Sequence, residues 1–473
     1  MLTFYFLAVG ILYIIYERLV LSPLNKLPGP SLAGATRLVL MYHEFTRTRK
    51  QWIHELHLRY GPVVRIAPDE VSFASWDAVK EVYASEGSGY EKTGFYKLFD
   101  NYSTMCMFSA ITKGPHGERK KIFSDRYAKS YIMQPETVSG IQDRAEEFVI
   151  ACTENLGKAV DVYVFLHCYA LDCITYHLFD PLGTHTLTDA ADRVKMKEIA
   201  YQDNLTDSYK EYYLTDLIPK EVEALISKYL RRPPRPRRIA TQVMNTARRS
   251  DVANHTVLSK LLEANLPTKS IASEMLDHAI AGHDTTGDGL CFLMHELALP
   301  RSSAIQEKLH HELAENPSTP IDDLPYLDAV VKEGLRLFSP IPMSLPRRVP
   351  TGGRRIGDAY VPGNTIVSCQ AYTLHRLDES VFPDPDTFMP ERWLESEGVT
   401  ERNQLFFAFS TGGRGCIGKH LALLEMKMLL REVYSSYRTQ VAPEMSASME
   451  QDDQIIASRP KGQQCLLIFE KIA

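Results

Sequence analysis

The sequence lacks the cysteine patterns that would indicate a disulfide framework or a zinc site. Its 473 residues include eight cysteines, and these are scattered, with no C-x-x-C pair and no His/Cys cluster at zinc spacing. This distribution fits reduced thiols in the cytosol. The chain also lacks an excess of positive charge. Its formal net charge of -6 gives no sign of nucleic-acid binding.

The composition is that of a globular protein, with 44% hydrophobic and 24% charged residues. At this length the chain could form two or three domains of ordinary size, although many large enzymes fill the same length with one domain. Length alone therefore leaves the number of domains open.

A long apolar run lies at the N-terminus. Leu2–Tyr16 carries no charge, but at about 1.5 Å per residue it is somewhat short of a ~30 Å hydrocarbon core. Adding residues 19–21, with the two intervening charged side chains snorkelling to the interface, brings it to spanning length. A cleaved signal peptide is the alternative, but a basic n-region and an A-x-A-like site are missing. We expect residues 1–21 to be a retained transmembrane signal anchor.

The charges after this run predict its orientation. Arg18, Lys26 and Arg37 follow it, whereas little positive charge precedes it, so the bulk of the chain should face the cytoplasm. Residues 26–30, Lys-Leu-Pro-Gly-Pro, break any helix and stiffen the exit from the membrane. We expect residues 22–30 to be a proline-rich hinge and residues 31–473 to be the folded domain.

One cysteine lies in a glycine-rich loop. Residues 409–418 read Phe-Ser-Thr-Gly-Gly-Arg-Gly-Cys-Ile-Gly. The glycines allow turns barred to other residues and a close approach of the backbone to a flat cofactor or to the sulfur. Backbone amides, the cation of Arg414 and the N-terminus of the following helix would favour the thiolate of Cys416. A thiolate in such a loop is a ligand or a nucleophile.

This segment fills every fixed position of F-x-x-G-x-R-x-C-x-G and resembles the haem-binding loop of the cytochrome P-450 haem-thiolate monooxygenases. The resemblance implies haem b as the cofactor and Cys416 as the axial ligand of its iron, pushing electron density onto the metal. It also implies that Arg414 pairs with a haem propionate, that Phe409 shields the sulfur, and that Gly412 and Gly418 are among the residues that bind the cofactor.

A second motif lies in a long helix predicted over residues 271–297. Residues 281–286 read Ala-Gly-His-Asp-Thr-Thr, and a glycine with two threonines weakens a helix interior, which predicts a functional distortion. The run matches the family pattern A/G-G-x-D/E-T-T. By that resemblance Thr285 hydrogen-bonds the bound dioxygen and Asp284 relays protons from solvent, as general acid chemistry requires. Ala281 should face the substrate.

Two further motifs predict a structural network. Glu333 and Arg336, three residues apart, share a helix face, and alone would usually form a surface pair worth under ~1 kcal/mol. Together with Arg392 in Pro-Glu-Arg-Trp, residues 390–393, they resemble the buried triad of the family. Removing one member of such a network should cost about 3–5 kcal/mol. The triad is structural rather than catalytic.

Other cationic positions resemble propionate contacts less closely. His116 and Lys120 occupy the places where the family often has W-x-x-x-R, which keeps a donor and a cation but loses the bidentate fork of arginine. A solvated basic helix face is the alternative, as is a patch of residues 119–121 that docks an acidic electron donor. Arg347 matches a propionate-binding arginine. The basic, proline-rich residues 231–238 predict an exposed loop.

The substrate should be small and largely apolar, as most ligand pockets are. The resemblance and the local composition give a set of expected pocket residues: Phe95, Tyr96, Phe99, Ala281, Ile341, Met343 and Ile455.

The resemblance covers nearly the whole chain and implies a mainly α fold with small β-sheets, formed as a single catalytic domain over residues 31–473. The expected protein is a microsomal-type monooxygenase, most like filamentous-fungal biosynthetic members. It would insert one atom of O2, taking electrons from NADPH through a separate flavoprotein reductase.

The expected location is the endoplasmic reticulum membrane, spanned once, with the catalytic domain in the cytosol. We expect a tailoring step in secondary-metabolite biosynthesis. The alternatives are a haem-thiolate isomerase or dehydratase that needs no reductase, and a non-catalytic haem-binding protein. The Asp284–Thr285 pair argues against the first of these.

Overall fold

A computed structural model of the chain describes residues 2–87, 89–154, 156–214 and 237–472. The predicted basic loop at 231–238 lies mostly outside these residues. The described α-helices, in chain order, are Leu2–Tyr16, Ser31–Ala35, Leu38–Phe45, Arg49–Tyr60, Trp76–Val79, Lys113–Phe123, Lys129–Ile132, Pro135–Thr153, Val162–Phe179, Ala190–Ala200, Leu205–Leu214, Arg237–Thr246, Val257–Glu263, Thr268–Ala298, Ser303–Glu315, Pro325–Leu337, Ala371–Leu374, Val399–Leu405 and Lys419–Tyr434.

The strands form small sheets, as the sequence predicts. They are Val63–Ala67 (β1), Glu70–Phe73 (β2), Glu91–Lys92 (β3), Ala159–Asp161 (β4), Arg347–Arg348 (β5), Arg354–Ile356 (β6), Ala359–Val361 (β7), Ile366–Cys369 (β8), Tyr437–Val441 (β9), Gln451–Asp453 (β10), Ser458–Pro460 (β11) and Leu466–Lys471 (β12). The largest sheet has the order β1-β2-β8-β5-β3. In it Lys92 lies opposite Arg347. The fold is therefore mainly helical with minor sheets.

Two long helices cross in the core, and glycines set their distance. Thr268–Ala298, here named the central helix, packs against Val162–Phe179. A Cβ at Gly282 would lie 2.7 Å from Ile174 Cγ1, and one at Gly287 would lie 2.7 Å from His167 Cδ2. Both glycines are therefore required by close packing of the two helices. By length and hydropathy alone Val162–Phe179 could cross a membrane, but 89% of it is buried, so it is a core helix.

The N-terminal helix Leu2–Tyr16 continues as π-helical turns over Glu17–Leu21. Its described apolar side chains, such as Tyr5 and Leu12, are exposed. Hydrogen bonds from Arg65 of β1 join the predicted hinge to the folded domain. The amide of Arg65 donates to Pro28 O at 2.7 Å, and its guanidinium donates to Asn25 Oδ1 at 2.5 Å.

Glu333, Arg336 and Arg392 meet in the interior. Arg336 donates to both carboxylate oxygens of Glu333, from Nη2 at 2.8 Å and from Nε at 2.9 Å, and Arg392 Nε donates at 3.0 Å. Trp393 Nε1 and the Met389 amide add donors at 2.9 and 3.0 Å. Glu333 and Arg336 have no exposed surface. The carboxylate is thus satisfied by five bonds and by two cations.

Replacing Arg336 by methionine should lower the free energy of unfolding by about 3–5 kcal/mol, because Glu333 would stay buried without its two-bond partner. Urea unfolding of the full chain, followed by circular dichroism, measures this loss. The control is Lys308→Met, which breaks an exposed pair with Glu391 and should cost less than ~1 kcal/mol. Equal losses in the two variants would contradict a structural role for the triad.

Candidate active site

A cavity of about 390 Å³ lies between the central helix and the cysteine loop. Segments around residues 340–347, 407–418 and 454–459 complete its wall. The predicted site residues that line it are Tyr96, Phe99, His116, Ala281, Asp284, Thr285, Ile341, Arg347, Phe409, Arg414, Cys416, Gly418 and Ile455. The tertiary structure therefore brings residues from distant parts of the sequence, including the cysteine loop and the central helix, to one cavity.

Cys416 is held at this cavity by the backbone on both sides. Its amide donates to Phe409 O at 2.9 Å, closing the loop. The amides of Gly418 and Lys419, at the start of helix Lys419–Tyr434, donate to its sulfur. The other seven cysteines are buried, whereas Cys416 has exposed surface and lines the cavity, which lies inside the protein. It is therefore the thiol that is placed to ligate a group bound there.

Opposing effects act on the pKa of the Cys416 thiol. Burial raises the pKa of the thiol, whereas the amides of Gly418 and Lys419 and the cations Lys419 and Lys120 lower it. The sequence suggested Arg414 as the cation that favours the thiolate. Lysines do so instead, because Arg414 lies on the other side of the loop, where its Nη1 donates to Ala110 O at 2.9 Å.

The cysteine loop is tied to the buried triad by one histidine. His375 Nδ1 donates to Arg336 O at 2.9 Å, and its Nε2 accepts from the Phe407 amide at 2.8 Å. A carbonyl oxygen can only accept, so this tautomer is fixed. Burial lowers the pKa of His375 to about 3, and the ring therefore stays neutral. The position of the loop depends on the network around Glu333 through this ring.

Gly412 is required by the backbone conformation of the loop and not by the cavity. Its φ is +71°, and a Cβ there would lie 2.1 Å from Tyr83 O. Gly412 does not line the cavity, so its predicted cofactor contact is corrected to a close approach between two backbone segments. Gly418 does line the cavity, 4.0 Å from Cys416 Sγ at its Cβ position.

Three buried cations converge on the cavity. Lys92, Arg347 and Arg414 are each more than 90% buried, and among the described residues none of them forms an ion pair. Burial lowers the pKa of Lys92, whose Nζ donates to Phe108 O at 2.5 Å. Arg414 Nε and Nη2 and Arg347 Nε have no hydrogen-bond partner. Buried charges without partners are costly, so this arrangement indicates a site for an anionic group.

His116 lies among these cations and lines the cavity. Burial and the charges of Arg414, Lys92 and Lys120 lower its pKa to about 3, so it is a neutral donor. Lys120 does not line the cavity, because its Nζ donates to Gly413 O at 2.9 Å. Its predicted propionate contact is corrected to a bond that supports the cysteine loop.

Haem b, which the sequence motifs imply, fits this donor set. A cavity-facing thiol would ligate the iron, and Arg347, Arg414 and Lys92 would neutralise two carboxylates. Lys92 has no motif around it. It joins the set only because β3 pairs with β5, so that it lies opposite Arg347.

The predicted docking patch at residues 119–121 is not a free basic surface. Arg119 Nε pairs with the fully buried Glu274 at 3.1 Å, and Lys120 is bonded to the cysteine loop. Lys121 remains exposed. The patch is therefore reduced to one of its three residues.

Asp284 and Thr285 lie in the wall formed by the central helix. Thr285 Oγ1 donates to Ala281 O at 2.8 Å, and Asp284 Oδ1 is hydrogen-bonded to His283 Nδ1 at 2.7 Å. The helix runs without a break over Thr268–Ala298, so the predicted distortion is absent. Instead, Thr285 forms a hydrogen bond to the backbone of the preceding turn, and the helix stays regular.

Aromatic rings close the side of the cavity opposite the central helix. Tyr96, Phe99 and Phe108 contact one another edge to face or tilted, with centroids 5.0–6.4 Å apart. Phe95 lies behind them against Tyr212 and does not line the cavity. Met343 is also buried outside the lining, although Ile341 and Leu345 of the same segment belong to it. The pocket prediction is corrected at these two positions.

Glu425 was not signalled by any motif. Its carboxyl lies on helix Lys419–Tyr434, lines the cavity and accepts from Thr286 Oγ1 at 3.1 Å. Burial raises the pKa of Glu425 to about 8. Like His167 and Asp288, which also line the cavity, it is recognisable only from tertiary contacts.

The comparisons with known proteins agree with this geometry. The cytochrome P450 family model matches residues 28–467. Cytochrome P450 monooxygenase hkm5 of Aspergillus hancockii is 29% identical over 94% of this chain and 90% of its own length. Benzoate 4-monooxygenase bphA of Aspergillus niger is 28% identical over 93% and 92%. Cytochrome P450 monooxygenase stcB of Emericella nidulans is 29% identical over 94% and 88%.

Gly412→Ala should lower the free energy of unfolding by at least ~2 kcal/mol, because the left-handed φ costs alanine about 1–2 kcal/mol and the Cβ would meet Tyr83 O. Chemical unfolding of the full chain measures the change. Gly114→Ala, where a Cβ would meet nothing within 4 Å, should be neutral or stabilising by up to ~1 kcal/mol. An unchanged stability in Gly412→Ala would show that the loop can move away from Tyr83.

Glu425→Gln should flatten the pH dependence of stability between pH 4.5 and about 8. In this window the unfolded state releases the proton of Glu425 while the folded state keeps it. The wild type therefore loses stability as the pH rises, by up to about 1.4 kcal/mol per pH unit from this group. Glutamine has no proton to lose. Unfolding free energies across the window measure the slope, and Glu450→Gln at an exposed carboxylate should leave it unchanged.

Proposed function

This chain belongs to the cytochrome P450 family and is a monooxygenase, and we propose that it inserts one oxygen atom from O2 into a small, largely apolar organic substrate. The observation that carries this proposal is the pairing of a cavity-facing Cys416 thiol with an acid and an alcohol, Asp284 and Thr285, in the wall of the same cavity. A passive haem carrier would not need that pair.

The binding residues have separate tasks. Cys416 would hold haem b by its sulfur, and Arg347, Arg414 and Lys92 would hold its carboxylates, with His116 as a neutral donor. Haem b supplies the dioxygen and electron chemistry when it is bound. The amides of Gly418 and Lys419 keep electron density on the sulfur, because they donate to it from a helix N-terminus.

Asp284 and Thr285 would supply the proton that the reaction needs. The Asp284 side chain is 38% exposed and lines the cavity, so it can exchange a proton with water there. The Thr285 hydroxyl donates to Ala281 O and keeps its oxygen lone pairs for a donor in the cavity. Together they would deliver a proton beside the reacting oxygen, which is the task of a general acid.

The lining supports an apolar substrate with a polar end. Phe99, Phe108 and Ile341 supply apolar surface to the lining. Gln454 and Arg459 add polar groups to it, and Arg459 is 8% exposed. The relatives compared above are monooxygenases of filamentous fungi. A tailoring step in fungal secondary metabolism is therefore the role we assign.

The electron source and the location complete the proposal. Electrons would come from NADPH through a separate flavoprotein reductase. The exposed apolar residues of helix Leu2–Tyr16 support a single membrane anchor, here assigned to the endoplasmic reticulum with the catalytic domain in the cytosol. An isomerase or dehydratase that needs no reductase is the second candidate, but it would leave the Asp284–Thr285 pair without a task.

The carbon monoxide difference spectrum of the dithionite-reduced full chain in membranes tests the class. We expect a Soret band at the red-shifted position that thiolate ligation gives, because Cys416 is the cavity-facing thiol. Cys416→Ala should abolish this band, whereas Cys152→Ala, at a buried cysteine of helix Pro135–Thr153, should retain it. A well-folded wild type without a haem band would overturn the proposal.

A further inference from the structure

Two histidine–aspartate pairs lie side by side in the interior. His283 Nδ1 is 2.7 Å from Asp284 Oδ1 on the central helix. His167 Nε2, on helix Val162–Phe179, is 3.3 Å from Asp288 Oδ1. The two imidazole rings are 5.0 Å apart. The His283–Asp284 pair, which contains the proposed acid, is thus in contact with the His167–Asp288 pair, to which the proposed mechanism gives no role.

The second pair occupies a site shaped to receive it. His167 and Asp288 are 1% and 5% exposed, and both line the cavity. A Cβ at residue 287 would lie 2.7 Å from the His167 ring, so glycine is required there to admit the imidazole beside the central helix. The sequence motif ends one residue earlier and gives no hint of this contact.

Geometry and electrostatics together indicate where the protons lie in the second pair. His167 Nδ1 is 2.8 Å from Tyr163 O, and because a carbonyl only accepts, Nδ1 carries a proton. His167 Nε2 is 3.3 Å from Asp288 Oδ1, which is within the distance of an ion pair. Although burial opposes charge on His167, Asp288 outweighs it and raises the pKa of the imidazole; burial raises the pKa of the Asp288 carboxyl, and the contact with His167 lowers it. We therefore assign the pair as an imidazolium with a carboxylate, with a net charge of zero.

The positive charge of His167 affects the protonation of His283. Burial lowers the pKa of His283, and the neighbouring His167 lowers it further, so the ring is neutral and carries one proton. Its Nε2 has no hydrogen-bond partner among the described residues, whereas Nδ1 faces Asp284. The proton therefore lies on Nδ1 and is donated to Asp284.

Other titratable groups surround the second pair without replacing it. The Tyr163 ring lies tilted against the His167 ring, with centroids 4.3 Å apart, and Asp161 interacts with the same ring from the start of that helix. Cys291 follows Asp288 by one helical turn. Arg459 approaches Tyr163 from β11, and Glu425 bonds Thr286 from helix Lys419–Tyr434.

We propose that His167 and Asp288 are positioning residues for Asp284. Their ion pair keeps His283 singly protonated on Nδ1, and this N–H orients the Asp284 carboxylate at the cavity wall. When Asp284 gives a proton to an acceptor in the cavity, the carboxylate that remains is stabilised by the same N–H, and a proton from solvent restores the acid. This inference rests on the proposed role of Asp284.

The first test is an infrared titration of the full haem-containing chain in nanodiscs. His167→Phe keeps a ring beside Gly287 but leaves Asp288 as a buried carboxylate without its cation. We expect one additional protonated carboxyl group near neutral pH, because burial then favours the neutral acid. Asp288→Asn in the His167→Phe background should remove that band. His167→Gln, which also removes the cation, serves if the phenylalanine variant does not fold.

The second test measures the hydrogen peroxide released per NADPH oxidised, with a P450 reductase in the same membrane. His167→Phe should raise this fraction several-fold, because Asp284 loses its orientation, and the double variant should recover part of the loss. His177→Phe is the matched control. It removes a buried imidazole from the same helix, Val162–Phe179, that lies outside the cavity lining and has no hydrogen-bond partner among the described residues. It should leave both the carboxyl band and the peroxide fraction at wild-type values.

The proposal is overturned if His167→Phe has the carboxyl band and the peroxide fraction of the wild type. It is also overturned if Asp288→Asn does not remove the added band. Failure of the proposed function has a different signature, which is the absence of NADPH oxidation in every variant while the infrared changes remain.

Discussion

The site is organised by charge that the protein itself does not neutralise. Lys92, Arg347 and Arg414 are buried without an acidic partner among the described residues, and two of them keep unpaired guanidinium N–H groups. Such burial is costly unless a ligand brings negative charge. An exposed thiol lines the same cavity. A carboxylate-bearing, thiolate-ligated cofactor satisfies both requirements at once, which is why haem b fits the chain without any further group.

The buried triad and the cysteine loop are parts of one structure. Glu333 draws Arg336, Arg392 and Trp393 together, and the carbonyl of Arg336 fixes His375, which in turn holds the Phe407 amide. A neutral imidazole with both nitrogens bonded is a rigid link. The thiol is thereby positioned by a network that never touches it. The triad therefore supports the cysteine loop although none of its members lines the cavity.

The central helix combines packing and proton chemistry because its glycines bring Val162–Phe179 close. Gly282 and Gly287 have no room for a Cβ, and the contact that they permit places His167 beside His283. The loss of helix propensity, about 1 kcal/mol for each glycine, is offset by buried contact. The unbroken helix shows that a threonine can bond to the preceding turn without opening the backbone.

Local spacing in the sequence was enough to determine the cysteine loop, the acid and alcohol of the central helix, and the Glu333–Arg336 pair, because each depends on residues within one loop or one helical turn. The mainly helical class was implied by the resemblance of these motifs to a known family. Tertiary structure alone decided the positions of Lys92, His167, Asp288, Glu425 and His375, whose partners lie far away in the chain. Contrary to the sequence-based prediction, the tertiary structure also leaves Lys120, Gly412, Phe95 and Met343 outside the cavity lining. No local pattern encodes which distant side chains pack together, since that choice depends on the volume and charge of the whole interior.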